Sequence, residues 1–208
     1  MKCNNPAFRI ACLCALLGGP FFVNASAADI TALAASCDDC HGKDGASTEP
    51  KIPTIGGMSA TYIADSLAVY QDESRPCEDI KYPAGAKKGE TANMCDLAAK
   101  LSEEESGLIA DHYADKPFVP AKQAFDADLA RRGKGIHELE CKKCHEDGGS
   151  SPDDDAGILA GQWMPYLESQ FAEYAAGKRP MAKKMQPKMD KLTADDIKAL
   201  IHYYASQQ

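Results

Sequence analysis

Cys37-Asp38-Asp39-Cys40-His41 and Cys141-Lys142-Lys143-Cys144-His145 are two copies of one pattern, Cys-x-x-Cys-His, in a chain of 208 residues. The spacing suits covalent attachment of haem c. Two thiols reach the two vinyl groups on one edge of a porphyrin, and the histidine that follows comes up beneath the iron as proximal ligand. Cys37, Cys40, Cys141 and Cys144 are therefore the candidate attachment thiols, and His41 and His145 the candidate iron ligands, for two haems. Two other uses of Cys-x-x-Cys stay open, a zinc site built from all four thiols and thioredoxin-like redox pairs. Zinc would have to draw together pairs about a hundred residues apart, and it needs no histidine after each pair.

The start of the chain sets the compartment. Residues 1–27 have the build of a secretory signal: Lys2 and Arg9 precede an apolar run over 10–23, and Ala25-Ser26-Ala27 offers a cleavage site. The mature chain is expected to begin near Ala28, in an oxidising periplasm. The run is broken by Gly18, Gly19 and Pro20, and no other stretch offers the ~20 apolar residues a bilayer span needs. No membrane span is expected in the mature chain. Cys3, Cys12 and Cys14 leave with the signal, so Cys77 and Cys95 are the cysteines left beside the four attachment thiols. The signal holds two of the 23 basic residues and none of the 31 acidic ones, so its loss moves the formal net charge from −8 to −10. That balance argues against a nucleic-acid partner. An average field of this sign steers toward a basic patch on a protein.

An internal repeat organises what remains. At an offset of 104, Ile55, Gly57, Tyr62, Leu67, Tyr70, Arg75 and Pro76 map onto Leu159, Gly161, Tyr166, Phe171, Tyr174, Arg179 and Pro180, in register with the two motifs. From Met94 onward the offset is 91: Met94 pairs with Met185, Leu101 with Leu192, Ile109 with Leu200 and Tyr113 with Tyr204. The first half thus carries 13 extra residues between Pro76 and Met94. Two tandem domains follow, over residues 28–116 and 117–208, with Lys116-Pro117-Phe118-Val119-Pro120 breaking the helical pattern between them.

Each half reads as a helix leading into its motif, an irregular Gly/Pro segment, a helix bearing Tyr62 or Tyr166, a loop, and a closing helix. The closing helices have start signals. Ser102 with Glu105 is a full capping box, and Thr193 with Asp196 a looser version of it. Leu108, Ile109 and His112, then Ile197, Leu200, Ile201 and Tyr204, supply apolar or aromatic spacing of three and four. No run alternates as a strand does, so the expected class is all-α. His112, His137 and His202 have no ligand spacing and no histidine counterpart in the other half; they read as surface or satisfied helix residues. Arg75 and Arg179 read equally as partners of a buried haem propionate or as helix-end caps.

On these residues each half resembles a class I cytochrome c, in which a methionine thioether from a loop usually completes the iron's coordination. The resemblance asks for one such methionine per half. Met181, Met185 and Met189 compete in the second, but only Met185 has a methionine counterpart, since Met94 precedes Leu101 by the seven residues that separate Met185 from Leu192. Met94 and Met185 are the expected distal ligands, with Met189 the main competitor. Met58 and Met164, beside Gly57 and Gly161, read as packing. Cys77 opens the insertion and Cys95 closes it directly after Met94, and a disulfide is the best reading in an oxidising compartment. A redox-active pair and a thiolate ligand to the first iron stay open.

The whole mature chain looks like the two-haem cytochromes of the c-four type. The second half resembles more closely the cytochrome subunit of flavocytochrome c sulfide dehydrogenase. Pro120-Ala121-Lys122-Gln123, Ile158-Leu159-Ala160-Gly161-Gln162-Trp163, Arg179-Pro180-Met181 and Tyr204-Ala205-Ser206-Gln207-Gln208 carry that resemblance. It implies a haem subunit, not an enzyme alone, that accepts electrons from an FAD-carrying sulfide dehydrogenase subunit and hands them to a soluble acceptor protein. The chain has no complete G-x-G-x-x-G fingerprint, so FAD belongs on the partner. A free carrier between respiratory complexes is the alternative, and a haem enzyme oxidising thiosulfate a third. The 13-residue insertion departs from the resemblance and leaves the docking of the first half open.

Overall fold

The computed structural model describes residues 29–153 and 155–208; the expected signal segment lies outside the described residues. Helices α1 (Ile30–His41), α2 (Ala60–Gln71), α3 (Met94–Ala98) and α4 (Glu103–Ala114) belong to the first half, and α5 (Ala127–Ile136), α6 (Met164–Ala175), α7 (Gln186–Met189) and α8 (Ala194–Ala205) to the second. The fold is helical, with one small exception described below.

Side-chain caps start the helices. The Asp29 carboxylate accepts the Thr31 N–H at 2.9 Å, and the Ser59 hydroxyl accepts the Tyr62 N–H at 3.0 Å. Asp126 accepts from both Asp128 and Leu129, each at 2.9 Å. The boxes at Ser102/Glu105 and Thr193/Asp196 are both complete, so the second is no looser than the first. Each such cap satisfies backbone donors that have no partner inside the helix.

In each half the closing helix lies on the helix that leads into the motif, α4 on α1 and α8 on α5. Tyr113 and Tyr204, both fully buried, anchor the two cores. The first core gathers Met58, Ile63, Leu67, Ala98, Ile109, Ala110 and Tyr113; the second gathers Tyr166, Leu167, Leu200, Ile201, Tyr203 and Tyr204. Met164 packs against the second. The repeat reappears in the hydrogen bonds. Gly57 N–H donates to the Tyr113 carbonyl and Gly161 N–H to the Tyr204 carbonyl, both at 2.8 Å. Both glycines sit at positive φ, +79° and +73°, where a side chain is strained, so each turn is tied to its closing helix through a residue without a Cβ.

Two features differ from the sequence expectation. The insertion is an antiparallel hairpin, β1 (Ile80–Lys81) pairing with β2 (Thr91–Ala92). Strands of two residues are too short to show alternation. Second, α5 stops at Ile136 and a single π turn over His137–Cys141 follows, so Cys144 and His145 lie in the turn beyond, whereas α1 carries its whole motif.

Candidate haem sites and the contact between the halves

The first motif occupies the last turns of α1. Cys37 packs on the first core, and Cys40 is buried against Ile52 and Tyr82. His41 is buried, its Nδ1 2.9 Å from the Pro53 carbonyl. That contact takes a proton on Nδ1 and leaves Nε2 as the nitrogen with a free lone pair, the state a metal-binding imidazole needs. Burial lowers the His41 pKa, which keeps the ring neutral.

Three of the thiols, Cys37, Cys40 and Cys141, are not activated. Burial raises the Cys37 and Cys141 pKa values, and burial with the Asp39 carboxylate beside it pushes Cys40 up to about 11. Redox-active Cys-x-x-Cys pairs need the opposite shift. The zinc reading fails on geometry: Cys37 packs on one core and Cys141 on the other, and among the described residues no three potential ligands converge. Two protonated, unpaired thiols beside a histidine locked through Nδ1 fit haem attachment.

In the second half Cys141 packs on the core while Cys144 is exposed and His145 half-buried. Lys188 and Lys191 reach Glu140 at 2.9 and 3.2 Å, so the segment holding Met185 runs alongside the motif. Met185 caps α7 and Met189 ends it, both half-buried. Met94 is the first residue of α3, not a loop residue, and packs on the core that Cys37 touches. Cys77 and Cys95 form a disulfide whose Cα atoms are 5.8 Å apart, which removes both sulfurs from thiolate ligation.

His137 departs from its reading as a surface or satisfied residue. It is fully buried, its Nδ1 is 3.1 Å from the Tyr204 hydroxyl, and its Nε2 has no hydrogen-bond partner among the described residues. His112 packs edge-on to Tyr113, and His202 Nδ1 accepts the Asp126 N–H at 3.0 Å.

The repeated arginines meet at the contact between the halves. Arg75 bonds Gln170 and lies 3.6 Å from Glu173, both in the second half. Arg179 donates to Gln170 at 2.6 Å and to the Tyr62 hydroxyl at 3.3 Å. Each guanidinium also covers a ring of its own half, Arg75 over Tyr70 and Arg179 over Tyr174, at 4.6 and 4.5 Å. Burial would push the Tyr62 hydroxyl up, but Arg179 and Arg75 outweigh it and hold its pKa below the usual phenol value. Neither arginine is a simple helix-end cap. Nearby, buried Gln162 pairs with the backbone of Thr54 as a peptide group would, accepting its N–H at 3.1 Å and donating to its carbonyl at 2.6 Å. Trp163 donates to the Ser47 carbonyl at 2.9 Å, and Ile158 enters the first core.

Comparison with known proteins agrees with this geometry. Residues 128–203 match the family model described as cytochrome C oxidase, cbb3-type, subunit III. Cytochrome c-554(548) of Halomonas halodenitrificans is 35% identical over 81 residues, covering 39% of this chain and 84% of that protein. Cytochrome c4 of Pseudomonas aeruginosa is 28% identical over 183 residues, covering 83% and 84%. The crystal structure of reduced recombinant cytochrome c4 from Pseudomonas stutzeri superposes with a TM-score of 0.68 at 24% identity, over 86% of this chain and 99% of that one. The chain belongs to the class I c-type cytochromes, which carry covalent haem c, and it is similar over most of its length to cytochromes c4.

Proposed function

We propose that the chain is a periplasmic two-haem electron carrier, exported with residues 1–27 as a cleaved signal and built from domains over 28–116 and 117–208. Cys37 and Cys40 would attach one haem and Cys141 and Cys144 the other. His41 with Met94, and His145 with Met185, would hold the irons. Haem iron, when bound, takes up and releases one electron by changing between its ferrous and ferric states. The chain's own residues supply position and shielding. Pro53 fixes the His41 ring, Cys40 is buried and would shield the group it attaches, and Arg75, Arg179 and Gln162 hold the halves in one relation, so that exchange between them would be intramolecular.

The observation that carries this reading is the duplicated pair of unpaired thiols followed by a histidine, one copy in each half. Pyridine haemochrome absorbance per chain, with peptide masses, tests it: two haems on the four named cysteines are expected, and a single haem or none would overturn it.

A second reading is the haem subunit of an FAD-carrying sulfide dehydrogenase. The segments that suggest it are Pro120-Ala121-Lys122-Gln123, Gln162 and the terminal glutamines. They have local work here, which is why it stands second. Gln123 donates to the Gln162 carbonyl at 2.7 Å and accepts from the Met164 N–H at 2.9 Å, and Gln208 donates to the Gln123 carbonyl at 2.8 Å. Isolation of the native protein at low salt separates the two. A flavin signal, a second larger chain and sulfide-dependent haem reduction would establish the dehydrogenase subunit, whereas a flavin-free protein inert to sulfide would establish the free carrier.

A further inference from the structure

The tyrosines of the two closing helices hold the same group on one side and different groups on the other. The Tyr113 hydroxyl reaches the Cys37 thiol and the Tyr204 hydroxyl the Cys141 thiol, so each stands beside the first attachment sulfur of its half. In the first half the Tyr113 hydroxyl lies 2.8 Å from an Asp38 carboxylate oxygen and 3.1 Å from the Ala34 carbonyl. In the second half the neighbour is an imidazole, with His137 Nδ1 3.1 Å from the Tyr204 hydroxyl. His137, Tyr204 and Cys141 thus form a line of contacts from a buried histidine to a sulfur that would hold the second haem. At the repeat offset of 104 the place of His137 belongs to Leu33, which packs on the first core.

Packing alone does not ask for a histidine there. The ring is fully buried against Tyr203 and Tyr204, with centroids 5.2 and 5.7 Å away, and its Nε2 has no hydrogen-bond partner among the described residues. Whichever nitrogen carries the proton, a polar atom is left unsatisfied, a cost that a leucine avoids. The groups facing the ring leave it as the one that can change charge near neutral pH. From its own turn, Glu138 raises the His137 pKa and Lys142 lowers it, and these two are paired at 2.8 Å. Their own pKa values move away from neutrality, Glu138 down and Lys142 up, each chiefly through their mutual hydrogen bond. From α8, burial raises the Tyr203 and Tyr204 phenols, and the Cys141 thiol would be consumed by attachment.

We propose that His137 couples a proton to the electron of the second half: its ring binds one proton from solvent when the second haem is reduced and releases it when that haem is oxidised. The proposal rests on the two-haem carrier reading, which supplies the electron through a redox partner. The bond that forms and breaks is the N–H of the second ring nitrogen. Its sign follows from charge. A reduced iron carries one positive charge fewer, so a cationic ring beside it costs less, and reduction strengthens proton binding. By linkage, a lower pH then favours reduction of that half. Burial lowers the His137 pKa, which places the effect below the ordinary histidine value of ~6.5. In the first half Leu33 has no proton to exchange.

The test is a spectroelectrochemical titration of the haem-loaded protein at a series of pH values on both sides of the histidine range. One of the two midpoint potentials should rise as the pH falls below about 6.5. In His137→Leu and His137→Gln that rise should be largely lost, with the other potential unchanged. Leucine is the residue of the first half, whereas glutamine keeps a polar group against Tyr204 but holds no proton near neutrality, so together they separate proton binding from packing. In the wild type, the His137 ring resonances should titrate at higher pH in the ferrous protein than in the ferric. Two potentials independent of pH, a pH response that survives both substitutions in full, or a His137 titration equal in the two states would overturn the coupling. Fewer than two haems per chain would instead overturn the two-haem reading.

Discussion

At the scale of single residues, spacing carried most of the information. Cys-x-x-Cys-His is legible because its chemistry needs fixed intervals, and His41 presents one ring nitrogen to Pro53, which leaves the lone pair on the other. The choice of Met94 and Met185 as distal ligands rests on the repeat alone. Met185→Ala should abolish the methionine-to-iron absorption band of one ferric haem and lower its potential, and Met189→Ala should leave both unchanged; the reverse result would show the register to be wrong. His137 could not be read from the sequence, because its partner Tyr204 lies 67 residues further on and its counterpart in the first half is Leu33. Burial lowers its pKa, while Glu138 raises it and Lys142 lowers it. A histidine kept neutral in the fold stabilises fully above its unfolded pKa of ~6.5, and that contribution is lost as pH falls through this value toward the lower folded pKa. Melting of the haem-loaded protein between pH 7.5 and 5 should therefore show an acid-side loss that His137→Gln reduces, since iron-bound histidines do not titrate in that window.

At the scale of elements, the closing helices were legible from end to end because caps and apolar spacing agreed. Thr193→Ala should cost about 1 kcal/mol in thermal or denaturant unfolding, the usual loss for an N-cap hydroxyl. The hairpin was not legible as a hairpin. Its strands are brief, and what fixes it is the Cys77–Cys95 bridge and the packing of Tyr82 on Cys40. Cys77→Ser should lower the melting temperature and perturb ligation in the first half alone, read as a change in one of two midpoint potentials. The packing of α5 on α8 depends on Gly133, where a Cβ would come within 2.7 Å of the Tyr203 Cβ and closer still to the Ala199 backbone. The sequence showed only a glycine in a helix.

At the scale of the whole molecule, the repeat announced two similar halves but not how they join. The residues it kept in common, Tyr62 with Tyr166 and Arg75 with Arg179, proved to belong to the contact between the halves, a role that appears only when both copies are present. Gln162 has no glutamine counterpart, for Met58 occupies its place in the repeat, yet it forms the most peptide-like link across the contact. Gln162→Ala would leave the Thr54 N–H and carbonyl buried without partners, at about 1–3 kcal/mol per group. Calorimetry should then show the single transition of the wild type broadening or separating into two. Net charge was legible as a sum, and the structure adds its placing, since the hairpin covers the edge of Asp38 and Asp39 while Lys142 and Lys143 stay exposed.

The covering of Cys40 also bears on biogenesis. Once Tyr82 and the bridged hairpin are seated, that thiol is out of reach of a lyase, whereas Cys144 stays open on the finished surface. Maturation of the first half must therefore come while its chain is still unclosed and its thiols are reduced. In the second half only Cys144 stays reachable, since Cys141 packs on the core.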